Sequence, residues 1–427
     1  MEFARFRRGS AGIAAALLCA TIIPAANAAE KPATGADSNL PKWSAVDGTR
    51  FNDVARRTDR VTYPDAGHVP AVGCDITGDD LADMIFTNPQ KRKTYAVPYI
   101  PYGSDNDEVT RSIEEQNAVK TVSEEAEGYG LAAACLPDST RLAVAAKNKI
   151  FIYSAGLKKA AEVEVAGIRA MASSGNRLAV ASGHKLYFYD ATGERQGKPL
   201  DLGANIEVVV ALSDGTFALG MSEVGKVQIV EPRSGAITMT ATGDADARFG
   251  AAITSTGDLN GDEDDDLAIG APLANNETGA VALITDLNND VKVDVTSTDD
   301  SPVTADGKSV GYLLRAPLRA HLGASLAWVD GGDKPGALVV GKPVDEEHTG
   351  ALVISAQALN KNYNNGLGID GIGEKYKLWL AGGDEKDDAG VEVGVMPRRG
   401  EDTLNGIFTV NSTGKVDVWT IDLTHQG

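Results

Sequence analysis

Residues 248–284 decide the reading of this chain. Arg248-Phe249-Gly250-Ala251-Ala252-Ile253 is followed at Gly257 by an acidic stretch, Asp258-Leu259-Asn260-Gly261-Asp262-Glu263-Asp264-Asp265-Asp266. Leu267-Ala268-Ile269-Gly270-Ala271-Pro272 comes next, and Gly279-Ala280-Val281-Ala282-Leu283-Ile284 closes the unit. Each apolar run is too short for an ordinary helix. Each is bounded by Gly, Asp, Asn or Pro, the residues that reverse a chain. The order is strand, acidic loop, strand, hairpin, strand.

The unit recurs, and recurrence at a steady period points to a repeat architecture. A second copy is His321 to Leu326, Gly336 to Pro343 and Gly350 to Ile354. A third is Val69 to Cys74, an acidic loop, then Met84 to Pro89. Weaker copies start at Gly130, Ile168, Glu207 and Val391. The total is seven units, each with one strand rich in small residues that suits a crowded centre, then two more exposed strands in a hairpin. A single unit cannot bury both its faces, so the array must close on itself. The expected fold class is all-β, a seven-bladed β-propeller occupying 43–427 as one domain. The last strand ends near Asp422, which leaves the seventh blade without an outer strand; Lys42 to Tyr63 is expected to supply it and lock the ring. Thr110 to Glu127 reads as a loop with at most one helical turn. The 288–320 segment, with Asp299-Asp300 and Pro302, reads as an unusually long connection that carries function or lacks order.

The N-terminus reads as a secretory signal over 1–28. Arg5, Arg7 and Arg8 form a basic start, Ile13 to Ile23 is an apolar run too short to span a bilayer, and Ala26-Asn27-Ala28 offers a cleavage site. Residues 29–42 read as a flexible leader. The expected location is therefore secreted, extracellular or cell envelope, with no transmembrane segment once the signal is removed. Formal net charge is -20, and removing 1–28 with its three Arg and one Glu takes it to -22. Such a surface repels nucleic acid and anionic lipid and suits divalent cations or basic partners. Two cysteines remain after the signal, Cys74 and Cys135, and in an oxidising compartment an even pair suggests one disulfide, two free thiols being the alternative.

Phe249-Gly250 and Gly270-Ala271-Pro272 resemble the two halves of the FG-GAP repeat of integrin α-subunits, and Thr242-Gly243-Asp244 resembles that family's linker between blades. The resemblance covers 236–287 closely, 67–90 and 320–357 with altered motif residues, and the other units by period and strand order alone. It implies a seven-bladed propeller of the integrin-α type, calcium in the loops of some blades, and extracellular binding. It transfers no particular ligand.

Two loops carry candidate Ca2+ sites. A hard cation takes six to eight oxygens from carboxylates, amides and backbone carbonyls. In the stronger loop Asp258, Asn260, Asp262 and Asp266 stand at positions one, three, five and nine, with the Asp264 carbonyl at seven. Asp265 is expected to face solvent. Glu263 stands where the family usually has Gly, a poorer fit to a positive φ. The exposed-turn alternative leaves these crowded carboxylates repelling one another without a cation. In the second loop Asp75, Thr77, Asp79 and Asp83 take the same positions, with the Leu81 carbonyl at seven. Asp330-Gly331-Gly332-Asp333 lacks the last carboxylate, because Ala337 stands there, and no ion is expected. Both sites are read as structural.

No catalytic motif is present: there is no Gly-x-Ser-x-Gly, no His-Glu-x-x-His and no phosphate-cradling glycine loop, and none of the five histidines joins a recognised motif. Lys91-Arg92-Lys93 reads as a solvated turn. The leading expectation is a monomeric, calcium-binding, non-enzymatic binding or adhesion module for an extracellular protein or glycan. The alternatives are a propeller hydrolase or lyase with a site in the central depression, and a structural envelope protein.

Overall fold

The computed structural model describes residues 56–422 except 65, 99–107, 111, 114–118, 298–302, 317–319, 332–335, 343–349, 362–366, 370–371, 373–376, 382–389 and 397–403. The signal and leader readings, and Gly332-Asp333, lie outside the described residues.

Among the described residues the strands fall into seven four-stranded antiparallel sets. Their first strands are His68–Cys74, Ala132–Leu136, Ile168–Ser174, Val208–Ala211, Ala252–Gly257, Leu326–Val329 and Glu392–Met396. Each of these packs against the next, and the last packs against the first, so the sets form a closed ring of blades. The apolar clusters sit between blades rather than inside one. One joins blades 2, 3 and 4, and the others join 4 with 5, 5 with 6, 6 with 7, 7 with 1, and 1 with 2. The ring therefore exists because no blade can bury its two faces alone.

This arrangement corrects one expectation. The second and third strands of a blade are not the exposed ones. Arg141–Ala145 and Lys149–Ser154 are buried apart from their ends, because each is covered on both faces by neighbouring blades. In blades 1, 2 and 3 exposure belongs to a fourth strand that the sequence pattern did not reveal, Lys120–Ser123, Lys158–Glu164 and Arg195–Asp201, whereas Lys308–Arg315 of blade 5 is largely buried. Such strands have one face and one edge in water, so they carry charge rather than an apolar alternation.

Blade 7 is completed as expected from the opposite end of the chain. Arg56–Tyr63 pairs antiparallel with Val416–Asp422, from Arg56 opposite Asp422 to Tyr63 opposite Val416. Thr62 Oγ1 donates to the buried Asp417 Oδ1 at 2.5 Å, and the Tyr63 ring lies 5.2 Å from that of Phe86 in blade 1.

The two long connections also differ from expectation. Within 110–127, Lys120–Ser123 is the fourth strand of blade 1. Within 288–320, Lys308–Arg315 is the fourth strand of blade 5, while Val291–Val293 and Val303–Ala305 add further pairings. A common rule governs these additions. The connection between third and fourth strands in blades 1, 5 and 6 contributes a short strand (Glu108–Thr110, Val291–Val293 and Leu367–Gly368), and each pairs in parallel with the outer strand of the preceding blade.

The Phe-Gly and Gly-Ala-Pro residues have steric roles. Phe249 is fully buried between blades 4 and 5, and burying such a ring contributes about 2–3 kcal/mol. Gly270 lies on the second strand of blade 5, and a Cβ there would come 2.0 Å from the Gly323 carbonyl oxygen of blade 6. Only glycine lets the two backbones approach so closely.

Candidate metal centre

The two acidic loops join first to second strands in blades 1 and 5, so they emerge on the same face of the ring. Their scaffolds correspond residue for residue. At position one, Asp75 accepts from the amides of Gly78 at 2.6 Å, Asp79 at 3.2 Å and Asp80 at 3.1 Å. Asp258 accepts from those of Gly261 at 2.5 Å, Asp262 at 3.1 Å and Glu263 at 2.9 Å. At position five, Asp79 accepts from the Leu81 amide and Asp262 from the Asp264 amide. At position nine, Asp83 accepts from the amide of Ile76, and Asp266 from that of Leu259, both at 2.6 Å.

These bonds hold both loops in the same tight turn, but among the described residues only the 75–83 loop brings three carboxylates together. The carboxylates of Asp75, Asp79 and Asp83 present oxygens within 4.8 Å of one another. Thr77 Oγ1 is drawn in by Asp83 Oδ1 at 2.8 Å. In the other loop Asn260 Oδ1 accepts from the Asp262 amide, while its Nδ2 donates to Asp262 Oδ2 and to the Thr285 carbonyl. Glu263 adopts φ +73° and the corresponding Asp80 φ +62°, so both loops hold a non-glycine residue in the left-handed region. That conformation costs roughly 1–2 kcal/mol for an L-residue. Position six thus needs a positive φ in both loops, as the departure from Gly at Glu263 suggested.

Electrostatics single out position nine. Asp266 is 1% exposed and Asp83 fully buried. Burial, with the Asp262 and Asp258 charges adding and the Leu259 and Asn260 amides offsetting only part, pushes Asp266 up to about 7. Burial likewise pushes Asp83 up to about 6, against the amides of Thr77 and Ile76. Asp258 behaves oppositely: desolvation would raise it, but the amides of Glu263, Gly261, Asp262 and Asn260 outweigh that and hold it below its usual value. Each loop therefore contains a buried carboxylate whose charge the protein alone compensates poorly. An all-oxygen donor set around such a charge fits a hard divalent cation. Asp258, Asn260, Asp262, Asp266 and the Asp264 carbonyl would hold it in one loop; Asp75, Thr77, Asp79, Asp83 and the Leu81 carbonyl would hold it in the other.

Several residues around the loops had no signature in the sequence, because they come from other turns and blades. Asp265 does not simply face solvent; its Oδ2 accepts from the Ser213 amide of blade 4 at 2.9 Å. Asn288, after the third strand of blade 5, donates to Asp264 Oδ2 at 3.3 Å. Ile76, at position two, is fully buried against blade 2, and its carbonyl accepts from the Gly156 amide there at 2.6 Å. Cys74, immediately before Asp75, is disulfide-bonded to Cys135 on the first strand of blade 2, with Cα atoms 5.3 Å apart. His321 lies in the linker before blade 6 at φ +51°, 3.6 Å from the Glu277 carboxylate. Arg92 pairs with Glu125 at 2.9 Å. Among the described residues no helix is long and apolar enough to cross a membrane.

The FG-GAP repeat family model matches residues 249–284, the stretch that carries the Phe-Gly, the acidic loop and the Gly-Ala-Pro. No curated protein matches the sequence. Among solved structures, the chain is similar to Kuenenia stuttgartiensis hydrazine synthase (14% identity, 83% of this chain and 96% of that one covered, TM-score 0.52). It is similar also to the Myceliophteria thermophila Cps50 (Swd1) β-propeller domain (12% identity, 83% and 96% covered, TM-score 0.51). A third is BBS1N in complex with ARL6DN (14% identity, 85% and 94% covered, TM-score 0.50). At such identities the likeness speaks to the fold alone. Ring closure, inter-blade cores and the matched motif lead to one assignment: the chain is a β-propeller protein carrying an FG-GAP repeat.

Proposed function

We propose that this protein is a secreted, calcium-binding β-propeller that acts as a non-enzymatic binding or adhesion module for an extracellular protein or glycan. The observation that supports the calcium reading is the pair of matching loops: each buries a carboxylate at position nine, and in 75–83 the oxygens of Asp75, Asp79 and Asp83 come within 4.8 Å of one another. The cation supplies positive charge and rigidity there. The chain's own residues supply the winding: Asp75 and Asp258 pin three amides each, while Asp83 and Asp266 anchor the loop to the second strand. Modules of this kind bind calcium with dissociation constants of about 10⁻⁴ to 10⁻³ M, so occupancy follows the calcium of an extracellular medium. Both loops sit on one face of the ring, so binding there stiffens that face for presentation to a partner.

The test joins two measurements. Calorimetric titration of the chelated protein with calcium should show binding that Asp75→Ala and Asp258→Ala together remove. Surface and envelope extracts passed over immobilised protein should then yield a defined protein or glycan retained with calcium and released by chelator. Absence of titratable calcium overturns the metal reading. Calcium binding without any retained species, together with turnover in a hydrolase or lyase screen, overturns the binding-module reading.

A further inference from the structure

The two loops match in scaffold but not in what fastens them. Residues 75–83 carry four acidic side chains and residues 258–266 carry six. In each blade the residue just before position one lies opposite the position-nine aspartate in the strand register: Cys74 opposite Asp83, and Gly257 opposite Asp266. At this one equivalent station the first loop has a covalent bond to the next blade and the second has a glycine. The Cys74 amide also donates to Cys135 Sγ at 3.2 Å, so backbone and side chain at this position are both tied to blade 2. The second loop is instead held by polar bonds from Ser213, Asn288 and the Thr285 carbonyl.

Resting on the calcium reading above, we propose that the Cys74–Cys135 disulfide is a positioning element for the first calcium site, making affinity at 75–83, and not at 258–266, dependent on redox state. Asp75 is the next residue after Cys74, and its carboxylate organises three loop amides. Asp83 faces Cys74 across the strand pair. Fixing Cys74 therefore fixes the ends of the loop from which positions one and nine project. Reduction by a small dithiol passes two electrons and two protons to the S–S bond. Cys74 and Cys135 become thiols and the dithiol closes to its own disulfide. The loop stays docked through Ile76 and the Gly156 amide, but its first residue gains freedom that calcium must then remove. Re-fixing one backbone residue corresponds to about a tenfold loss of affinity.

The experiment isolates each loop in the full chain. Asp266→Asn leaves the 75–83 loop to bind calcium, and Asp83→Asn leaves the 258–266 loop. Each protein is titrated with calcium in a calorimeter, oxidised and after dithiol reduction, with far-ultraviolet circular dichroism confirming the fold. The expected result is an affinity loss of about tenfold on reduction in Asp266→Asn and no change in Asp83→Asn. To separate this effect from wider loosening by the dithiol, the Cys74→Ala/Cys135→Ala pair in the Asp266→Asn background is titrated too; it should reproduce the reduced affinity and ignore the dithiol. Equal affinities before and after reduction in both proteins overturn the role of the disulfide alone. An equal loss in both overturns its specificity for the first loop. Absence of titration in both oxidised proteins overturns the calcium reading and this inference with it.

Discussion

Replacing Asp266 by Asn should stabilise the calcium-free protein and remove its response to calcium. Asn keeps the shape and can still accept the Leu259 amide that Asp266 accepts at 2.6 Å. It removes a negative charge that burial holds at a pKa of about 7, against an ordinary 3.8. A carboxylate raised on folding is disfavoured as its charged form, so the native state loses stability as pH climbs from about 4 to about 7 and no further beyond. Three pKa units correspond to a ceiling of about 4 kcal/mol at pH 8. For a domain of about 370 residues that is a rise in Tm of about 5 °C. Calcium acts the other way. At a hundredfold excess over its dissociation constant it contributes about 2.7 kcal/mol to the protein that retains the ligand, and none at this loop to the one that lacks it. Both proteins should carry Asp83→Asn so that only the 258–266 loop responds. Scanning calorimetry at pH 8 in chelator should place Asp266→Asn above its parent. In 10 mM calcium the gap should narrow to about 1.3 kcal/mol at a hundredfold excess, because only the parent shifts, and at pH 4 in chelator the two should coincide. A chelated variant less stable than its parent would refute the claim that an uncompensated charge sits at Asp266, and an undiminished calcium shift would refute its role as a ligand.

Three further outcomes follow from the same geometry. Glu263→Gly should stabilise the calcium-free protein by about 1 kcal/mol in denaturant titration, since it relieves a left-handed residue at φ +73°. Phe249→Ala should cost about 3–5 kcal/mol by the same assay, because the ring is fully buried between two blades. His68, beside the buried Glu392 at 3.1 Å, has its pKa raised by that hydrogen bond, with the Glu392 charge adding and partial burial opposing. Its contribution to stability is then full below about pH 6.5 and lost as pH rises through the raised value; a pH series of Tm should show this fall in the native protein and lack it in Glu392→Gln.

The repeat was legible because three of a blade's four strands are apolar and punctuated by turn residues, as in 252–284. The fourth was not, since Lys158–Glu164 or Lys120–Ser123 meets water on one face and one edge and so lacks an apolar signature. The 288–320 segment was read as a loop for a different reason: acidic and Gly-containing turns interrupt it, and its first strand, Val291–Val293, is short and pairs with the preceding blade, although Lys308–Arg315 is largely buried. The shared turn of the two acidic loops could be read from spacing, since the aspartates at positions one, five and nine accept matching loop amides in both. Their outer partners could not. Ser213 reaches Asp265 across 52 positions, a distance over which one sequence carries no register, whereas the Cys74–Cys135 bond was legible because only two cysteines follow the signal.

The parallel strands donated from one blade to the rim of the one before it give the ring joints of unequal stiffness. Backbone pairing crosses the 7–1, 4–5 and 5–6 joints, and a covalent bond crosses 1–2. Among the described residues, blades 2, 3 and 4 meet through packed side chains and scattered hydrogen bonds, such as Ser173 Oγ to the Cys135 carbonyl. A pull on this molecule, or a protease waiting for it to breathe, therefore meets two stiff arcs, separated on one side by the single 6–7 joint of packed side chains and the Ser325 Oγ bond to the Gly390 carbonyl, and on the other by a longer compliant arc. The compliant arc is centred on blade 3, where the circle has least to lose by opening.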